Sequence, residues 1–474
     1  MFEALRRELD LPPAGRSDTF LDEVLAEAER IVAAGPRATT DRTDLPFVTI
    51  DPPGALDLDQ AVHLERRGDG FRVHYAIADL GVIELGGGID AEARRRGQTI
   101  YLPDGRVPLH PPMLSEGALS LLPDQVRGAA LWTIDLDGEG VVVAHDVELA
   151  LVRSVARLDY ASVQADADAG RLHPSLESLP DVGRLRRARR VGAGALELGL
   201  PDQEVVPHDG SAHGWRAVWR TRREADDWNA EVSLLTGTVA AGLVLDAGVG
   251  LLRTLPEPDP RDVRRFLERA RTLGVDAGPG PGDQQPLLAA AVLLDRLDPS
   301  DPAHLAVMTD ATRLLRGASY VALDGDRPDD ANHAGVGAPY AQVTAPLRRL
   351  ADRFTTEVCL AVAAGREVPP DLRAALPEVP SAMAASDALA SRADRGVLDR
   401  VEAAMLAPLV GHDVEALVVD VDERGADVVL LEPAVLAAIG PDQGAGGLQE
   451  GERRRVRVVA ADPASGVVHL TPSA

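Results

Sequence analysis

A short apolar segment followed at once by three aspartates is the feature that most restricts how this sequence folds. Phe47-Val48-Thr49-Ile50 has the composition of a buried β-strand, and Asp51, Asp57 and Asp59 fall within the next nine residues. In extended chain Asp57 and Asp59 point to the same side, and Pro52-Pro53-Gly54 bends Asp51 back towards them. Converging carboxylates repel one another unless cations neutralise them, and hard oxygen ligands favour Mg²⁺ or Mn²⁺. The run therefore predicts a metal site suited to phosphodiester cleavage.

The same run also allows a simpler interpretation, because Asp beside Pro and Gly commonly forms turns and caps. An EF-hand calcium loop starting at Asp57 is disfavoured, since Val62 stands at its sixth position and Gly68 at its twelfth. Spacing alone leaves the metal site and the turn as alternatives.

Motifs from Phe47 to Asp352 resemble, in order, those of the RNB catalytic domain of the ribonuclease II and ribonuclease R family. Thr49-Ile50-Asp51 with Asp57, Asp59 and Ala61 is similar to its opening motif, a strand followed by Thr-Ile-Asp, a turn and Asp-x-Asp-Asp-Ala. The other stretches that resemble family motifs are Phe71–Asp79, Asp90–Pro103, Pro108–Leu121 and Tyr340–Asp352. Several motifs in one order are more specific than any of them alone.

The resemblance implies a hydrolytic exoribonuclease that degrades single-stranded RNA from the 3′ end to 5′-mononucleotides. It implies two divalent ions about 4 Å apart, Mg²⁺ or alternatively Mn²⁺. The family's metal positions are occupied here by Asp51, Asp57, Asp59 and Gln60, and Asp57 and Asp59 are also implied to be catalytic. Arg348 matches the arginine that neutralises charge on the scissile phosphate. Outside this context Arg348 reads as a helix-start arginine paired with Asp352.

The same resemblance assigns substrate binding to three further residues. Tyr101 matches a tyrosine that stacks on the 3′-terminal base, and Arg349 lies next to the catalytic arginine. Glu231 matches a glutamate that holds the terminal ribose, with Asn229 as the alternative because helix registers slip easily. A ribose contact of this kind would favour RNA over DNA.

Gln60 departs from the family pattern, which has a carboxylate there, and an amide oxygen is a weaker ligand for a hard cation. Either Asp79 or water completes the metal shell, or an ion is lost and the chain is an inactive RNA-binding or scaffold protein. The acids that remain favour the enzyme, because unneutralised carboxylates repel RNA. A phosphodiesterase acting on short oligonucleotides or DNA is a third, weaker interpretation.

Net charge is −26, which argues superficially against a nucleic-acid partner, yet all 49 basic residues are arginines, able to bind phosphate bidentately. Most arginine clusters read equally well as solvated helix faces, so charge neither supports nor excludes RNA. The single cysteine, Cys359, and a start without a signal-peptide core indicate a cytoplasmic protein. The apolar helix around Val232–Leu245 is too interrupted for a membrane span and predicts a core helix. We expect a monomer without an obligate protein partner.

Local patterns predict an α+β fold divided into three parts. Residues 1–45 read as a short helical segment, with helices over Phe2–Leu9 and Thr19–Ala34. Residues 46–407 alternate hairpins and long helices, which predicts the catalytic domain as a largely antiparallel sheet packed by helices. Residues 408–474 read as short strands with turns and resemble an S1-type OB barrel, although no aromatic residue follows Phe354. The predicted strands of this tail are Glu415–Val421, Ala426–Leu431, Arg454–Ala461 and Val467–Leu470.

Overall fold

A computed structural model describes residues 1–473 except 16–19, 211–213, 221, 279–284, 326–327, 329, 431 and 434, and the side chain of Pro302. Its helices are α1 Phe2–Glu8, α2 Asp22–Ala34, α3 Gly88–Arg96, α4 Tyr160–Asp168, α5 Leu179–Gly192, α6 Glu224–Ala247, α7 Pro260–Thr272, α8 Pro286–Asp295, α9 Pro302–Ala311, α10 Leu350–Ala363, α11 Pro370–Ala375 and α12 Val379–Leu406. Its strands are β1 Thr40–Asp41, β2 Phe47–Ile50, β3 Gln60–Arg67, β4 Gly70–Ala78, β5 Val126–Leu136, β6 Val142–Leu158, β7 Asp202–Pro207, β8 Trp215–Arg220, β9 Val249–Thr254, β10 Ser319–Asp324, β11 Asn332–His333, β12 Ala338–Pro339, β13 Asp413–Asp422, β14 Gly425–Leu430, β15 Val435–Ile439, β16 Arg453–Asp462 and β17 Val467–Pro472.

The central sheet has strand order β1-β6-β2-β3-β4-β5, and β6 also pairs with β5, so the sheet curls back on itself. Strand β2 pairs antiparallel with β3, β3 with β4, and β4 with β5. Strands β1 and β2 run parallel to β6. The prediction of a largely antiparallel sheet is therefore confirmed. The sheet starts earlier than the predicted boundary at residue 46, because Thr40–Asp41 pairs with β6.

Both faces of this sheet are buried, which follows from the alternation of side chains along its strands. One face, with Val62 and Tyr75, shares a core with α6 and α10 residues such as Val232 and Phe354. The other face, with Ala61 and Ala76, packs against α2 and the turn around residue 114. The open end of β2 and the start of β3 lie between these two cores, and this is where the acidic run sits.

Helix α6 is long and apolar enough, by length and composition alone, to cross a membrane. Half of its most apolar window is nevertheless buried inside the protein. Trp228, Val232 and Leu235 belong to the main core, beside Val358 and Cys359 of α10. The packing is that of a core helix, as the sequence predicts.

The C-terminal strands form a separate five-stranded sheet of order β15-β14-β13-β16-β17. Its interior is a core of Val418, Val428, Val456 and Leu470, and the sheet is nearly closed and OB-like. The structure confirms the predicted strands of this region, except that Leu431 lies outside the described residues. Strand β15 is an addition that the sequence did not predict.

The N-terminal helix α1 packs on α12 and on the loop that follows α3. Phe2 and Leu5 share a core with Ile100 and Leu102 of that loop and with Val397. The predicted helix at Phe2–Leu9 is confirmed, and α2 confirms the second predicted helix from Asp22 onward. Thr19 lies outside the described residues.

Candidate active site

The acidic run leaves the sheet as a folded loop that is fixed at both ends. The Asp51 amide donates to the Leu158 carbonyl at 3.1 Å, which extends the pairing of β2 with β6. Gly54 has a φ of 86°, which favours glycine and makes the turn after Pro53 possible. Further on, the Leu58 amide donates to Ser120 Oγ at 2.9 Å, and the Leu58 side chain is fully buried. The buried leucine thus fixes the directions in which the aspartates on either side point.

Asp59 is buried and holds the segment that contains Arg348. The Leu347 amide donates to Asp59 Oδ1 at 2.7 Å, and Arg348 Nε donates to Oδ2 at 3.3 Å. Burial raises the pKa of Asp59 to about 8, although Arg348 and the Leu347 amide both lower it. The Arg348 side chain is 44% exposed, so its guanidinium borders both the buried acid and solvent.

Asp57 is engaged by two side chains from the loop after α3. Tyr101 Oη donates to Asp57 Oδ2 at 2.9 Å, and Arg106 Nη1 donates to Oδ1 at 3.0 Å. Arg106 also pairs with Glu116 at 2.6 Å. Tyr101 is 46% exposed, so its ring is available at the surface of the site while its hydroxyl is fixed.

Asp51 completes the cluster, and its charge interacts with the residues around it. Burial raises the pKa of Asp51 to about 6, and Asp57 contributes to the rise, whereas Arg348 and Arg157 lower it. The three predicted aspartates and Arg348 are therefore brought together at one place. Arg157 also donates to the Ala55 carbonyl at 2.9 Å, so it holds the acidic loop from β6.

Gln60 lies beside this cluster, at the first position of β3. Its Oε1 accepts a hydrogen bond from Tyr75 Oη, and Ser233 Oγ lies 2.8 Å from the same hydroxyl. The oxygen that would bind a cation is thus used in a hydrogen bond. Asp79, the alternative ligand, is bound instead by Arg37 at 2.8 Å on the other side of β4.

Arg349 and Glu231 are each held in an ion pair that includes none of the three aspartates. Arg349 donates to Asp352 at 2.7 Å, so Asp352 pairs with this arginine and not with Arg348. Arg190 Nε donates to Glu231 at 2.9 Å, and the glutamate is only 2% exposed. As placed, neither side chain faces the acidic cluster, and their assignment to substrate binding remains a prediction from the resemblance.

Asn229, the alternative to Glu231, contacts a tyrosine on which the charge of Asp51 acts. Its Nδ2 donates to Tyr160 Oη at 3.4 Å. Burial raises the pKa of Tyr160, and Asp51 raises it further, which places that phenol beside the acidic loop. Asn229 is thus linked to the acidic loop through Tyr160, whereas Glu231 is paired with Arg190, and the choice between them stays a prediction from the resemblance.

Sequence reasoning missed several residues that structure this site. They are Tyr75, Arg106, Arg157, Tyr160 and Ser233. None belongs to a local pattern with the aspartates, since β4, the loop after α3, β6, α4 and α6 bring them in from other parts of the chain. The three clustered carboxylates indicate that arginines must lie nearby to balance their charge. The sequence does not indicate which arginines these are.

The donor chemistry of the site fits a hard divalent cation, because three carboxylates lie in one partly desolvated place. The present conformation is not a preformed cage. Among the residues that the structure describes, no three His, Cys, Asp or Glu side chains are arranged to hold a metal ion. The carboxylate oxygens of Asp57 instead accept hydrogen bonds from Tyr101 and Arg106. Those of Asp59 accept from Arg348 and the Leu347 amide.

Two features of the fold identify the family of this protein. They are the curled sheet with the acidic loop at its end and the OB-like sheet that follows it. The RNB domain model matches residues 39–362, and the model of the RNase II-type exonuclease C-terminal S1 domain matches residues 412–473. The chain therefore belongs to the RNB family.

Particular relatives agree with this assignment. Exosome complex exonuclease RRP44 homolog A of Arabidopsis thaliana is 30% identical over 330 residues, which are 66% of this chain and 34% of the relative. Ribonuclease R of Escherichia coli strain K12 is 28% identical over 342 residues, 70% of this chain and 41% of the relative. The chain thus spans well under half the length of these curated relatives.

Solved structures share the fold at low sequence identity. The apo form of Mycoplasma genitalium RNase R superposes with a TM-score of 0.85 at 19% identity, over 99% of this chain and 78% of that one. Yeast Ssd1, described as a pseudonuclease, superposes with a TM-score of 0.69 at 19% identity, over 86% of this chain and 51% of that one. The fold is therefore shared by nucleases and by at least one protein without nuclease activity.

Proposed function

We propose that this protein is a metal-dependent exoribonuclease that hydrolyses single-stranded RNA from the 3′ end and releases 5′-mononucleotides. The observation that carries the proposal is the pairing of Arg348 with buried Asp59 beside Asp51 and Asp57. The half-exposed arginine can bind a phosphate group of the RNA, and the carboxylates beside it would hold the metal ion that acts on the same phosphate. Ribonuclease R among the curated relatives supports the same reaction class.

In this proposal each residue has a defined task. Asp51, Asp57 and Asp59 would hold Mg²⁺ or Mn²⁺, which when bound activates water and stabilises the leaving oxygen. Arg348 neutralises charge that develops on the phosphate, because its contact with Asp59 is made through Nε and its side chain is 44% exposed. Tyr101 offers an exposed ring for stacking on a base, with its hydroxyl fixed by Asp57.

A second function, an RNA-binding or scaffold protein without turnover, is favoured by one observation. Gln60 replaces a family acid and its oxygen is bound by Tyr75. The yeast pseudonuclease Ssd1 has the same fold. We favour the enzyme because Asp51, Asp57 and Asp59 lie together beside Arg348, and a protein that only binds RNA gains nothing from three acids at a phosphate site.

The test uses single-stranded RNA labelled at its 5′ end, incubated with Mg²⁺, with Mn²⁺ or with EDTA. A descending ladder that needs a divalent ion supports the exoribonuclease and its direction. Retained binding without a ladder supports the second function. The same incubation with a DNA oligonucleotide tests the third, a phosphodiesterase without preference for ribose. A monomeric state and a cytoplasmic location remain parts of the proposal.

A further inference from the structure

The side chain of Gln60 is held by the hydroxyl group of Tyr75, which in turn contacts the hydroxyl group of Ser233 on another element. In the β3–β4 register Gln60 pairs with Ile77 and Val62 pairs with Tyr75, which puts Tyr75 diagonal to Gln60 on one sheet face. Tyr75 is only 1% exposed, so its hydroxyl has a fixed position. Its oxygen meets Gln60 Oε1 on one side and Ser233 Oγ on the other.

The hydrogen bond from Tyr75 decides which end of the Gln60 amide is free. A hydroxyl chain of this kind has two proton arrangements, one with Tyr75 donating to Gln60 and one with Tyr75 donating to Ser233. Burial keeps the Tyr75 phenol protonated by raising its pKa, and both Asp51 and Asp59 act on it in the same direction. Because Gln60 Oε1 accepts the hydrogen bond from Tyr75 Oη, the amide nitrogen Nε2 is the free end of this side chain.

Within the described residues, the amide nitrogen of Gln60 has no hydrogen-bond partner. It is also not one of the polar atoms there that are buried without a partner, so solvent reaches it. We propose that Gln60 is a substrate-binding residue, whose Nε2 donates a hydrogen bond to a phosphate oxygen of the bound RNA, and that Tyr75 positions it. The inference rests on the proposed function, since it assigns a role in recognising the same substrate.

A neutral donor at this position changes how the site handles a polyanion. A carboxylate would repel the phosphate unless a cation lay between them, whereas an amide N–H attracts the phosphate directly. The site then keeps three acids and gains a donor, so part of its affinity for RNA does not depend on metal. Gln60 is thereby a phosphate contact and not a metal ligand.

The test measures binding of a 5′-fluorescein single-stranded RNA by anisotropy in EDTA, where turnover plays no part. We expect Gln60→Ala to weaken binding about tenfold, the effect of losing one hydrogen bond to a charged group. Gln60→Glu should weaken it further through repulsion. Tyr75→Phe should weaken it less than Gln60→Ala, because the donor stays but is no longer held. Gln125→Ala, at an exposed glutamine that bonds Arg127, is the matched control.

A second measurement, Mn²⁺ titration by calorimetry in the absence of RNA, separates the two roles of Gln60. If Gln60 only contacts phosphate, Gln60→Ala leaves Mn²⁺ affinity unchanged. Weaker Mn²⁺ binding together with unchanged RNA binding in EDTA would overturn the inference and make Gln60 a ligand. RNA degradation with Mg²⁺ but no RNA binding in EDTA would overturn the inference alone. If the parent protein neither binds RNA in EDTA nor degrades it with Mg²⁺, the proposed function itself fails. Should Gln60→Ala not fold, Gln60→Glu alone still decides, because stronger RNA binding by that variant contradicts a phosphate contact.

Discussion

Buried Arg6 forms an ion pair with the partly exposed Asp104, which connects the N-terminal helix to the loop carrying two active-site side chains. Arg6 Nη2 lies 2.7 Å from Asp104 Oδ1 and also donates to the Gly105 carbonyl at 2.8 Å. The loop is closed at its base by pairing of Ile100 with Val107. Tyr101 and Arg106, which both hold Asp57, lie just inside that pairing.

Arg6→Ala should therefore impair the site from a distance. We expect kcat/KM on RNA to fall about tenfold to a hundredfold, because small displacements of positioning groups are costly. Loss of the buried partner should also lower the free energy of unfolding by about 3 kcal/mol. Steady-state kinetics and thermal melting check both. Arg7→Ala, at the exposed neighbour that bonds only within α1, serves as control and should change neither quantity. Unchanged kinetics in Arg6→Ala would separate α1 from the site.

Asp59→Asn should abolish turnover and leave RNA binding intact or improved. The substitution removes a carboxylate from the acids that would hold the metal, and above about pH 8, where metal-free Asp59 is ionised, it also removes repulsion of the phosphate. We expect kcat to fall more than about a thousandfold, since a catalytic metal contributes several kcal/mol. Gel assays of cleavage and anisotropy in EDTA give the two readouts. Full activity in this variant would exclude Asp59 from the metal site.

Arg348→Lys should lower kcat with little change in KM. Lysine keeps the charge but lacks the planar fork that contacts two oxygens at once. A contact made mainly in the transition state affects kcat, and we expect a fall of about tenfold to a hundredfold. Arg349→Lys is the informative comparison, because Arg349 is paired with Asp352. We expect that variant to lower the free energy of unfolding more than it lowers kcat. A rise in KM with kcat unchanged would make Arg348 a binding contact only.

The pKa of Asp59 predicts how pH affects the metal-free protein. Burial raises this pKa from the ordinary 3.8 to about 8, so the folded state holds a proton that the unfolded state has released. Asp59 therefore contributes stability that is fully present below pH 4 and is lost as pH rises through about 8. In EDTA, Asp59→Asn should melt at a higher temperature than the parent at pH 9, with a smaller difference at pH 5. Equal melting curves at pH 9 would contradict the raised pKa.

Sequence reasoning located the acids well and their partners poorly, for identifiable physical reasons. Asp51, Asp57 and Asp59 lie in one loop whose turn residues define their directions, so local pattern was sufficient. Arg348 and Arg349 are adjacent, and only the backbone turn before α10 decides that the first meets Asp59 and the second Asp352. No spacing rule distinguishes two such neighbours.

Helix register and long-range pairing account for the remaining differences. Glu231 matched a family position, but it turns towards Arg190 of α5, a contact that depends on how two helices pack. Strand β15, Val-Leu-Ala-Ala-Ile, reads as helix or strand with equal ease, and its pairing with β14 decides the outcome. The hairpins β3–β4 and β5–β6 were predictable because their turns and alternation are local.

Cys359, buried in α10 against the carbonyl of Ala240, has a practical consequence for following the protein in solution. Burial raises the pKa of its thiol well above the usual range, so a thiol reagent reacts with it only when the helix core opens. The rate of alkylation under native conditions therefore reports how often the core around α10 opens. A cysteine introduced on the surface, for instance at exposed Val467, would take a fluorophore selectively without removal of the native thiol.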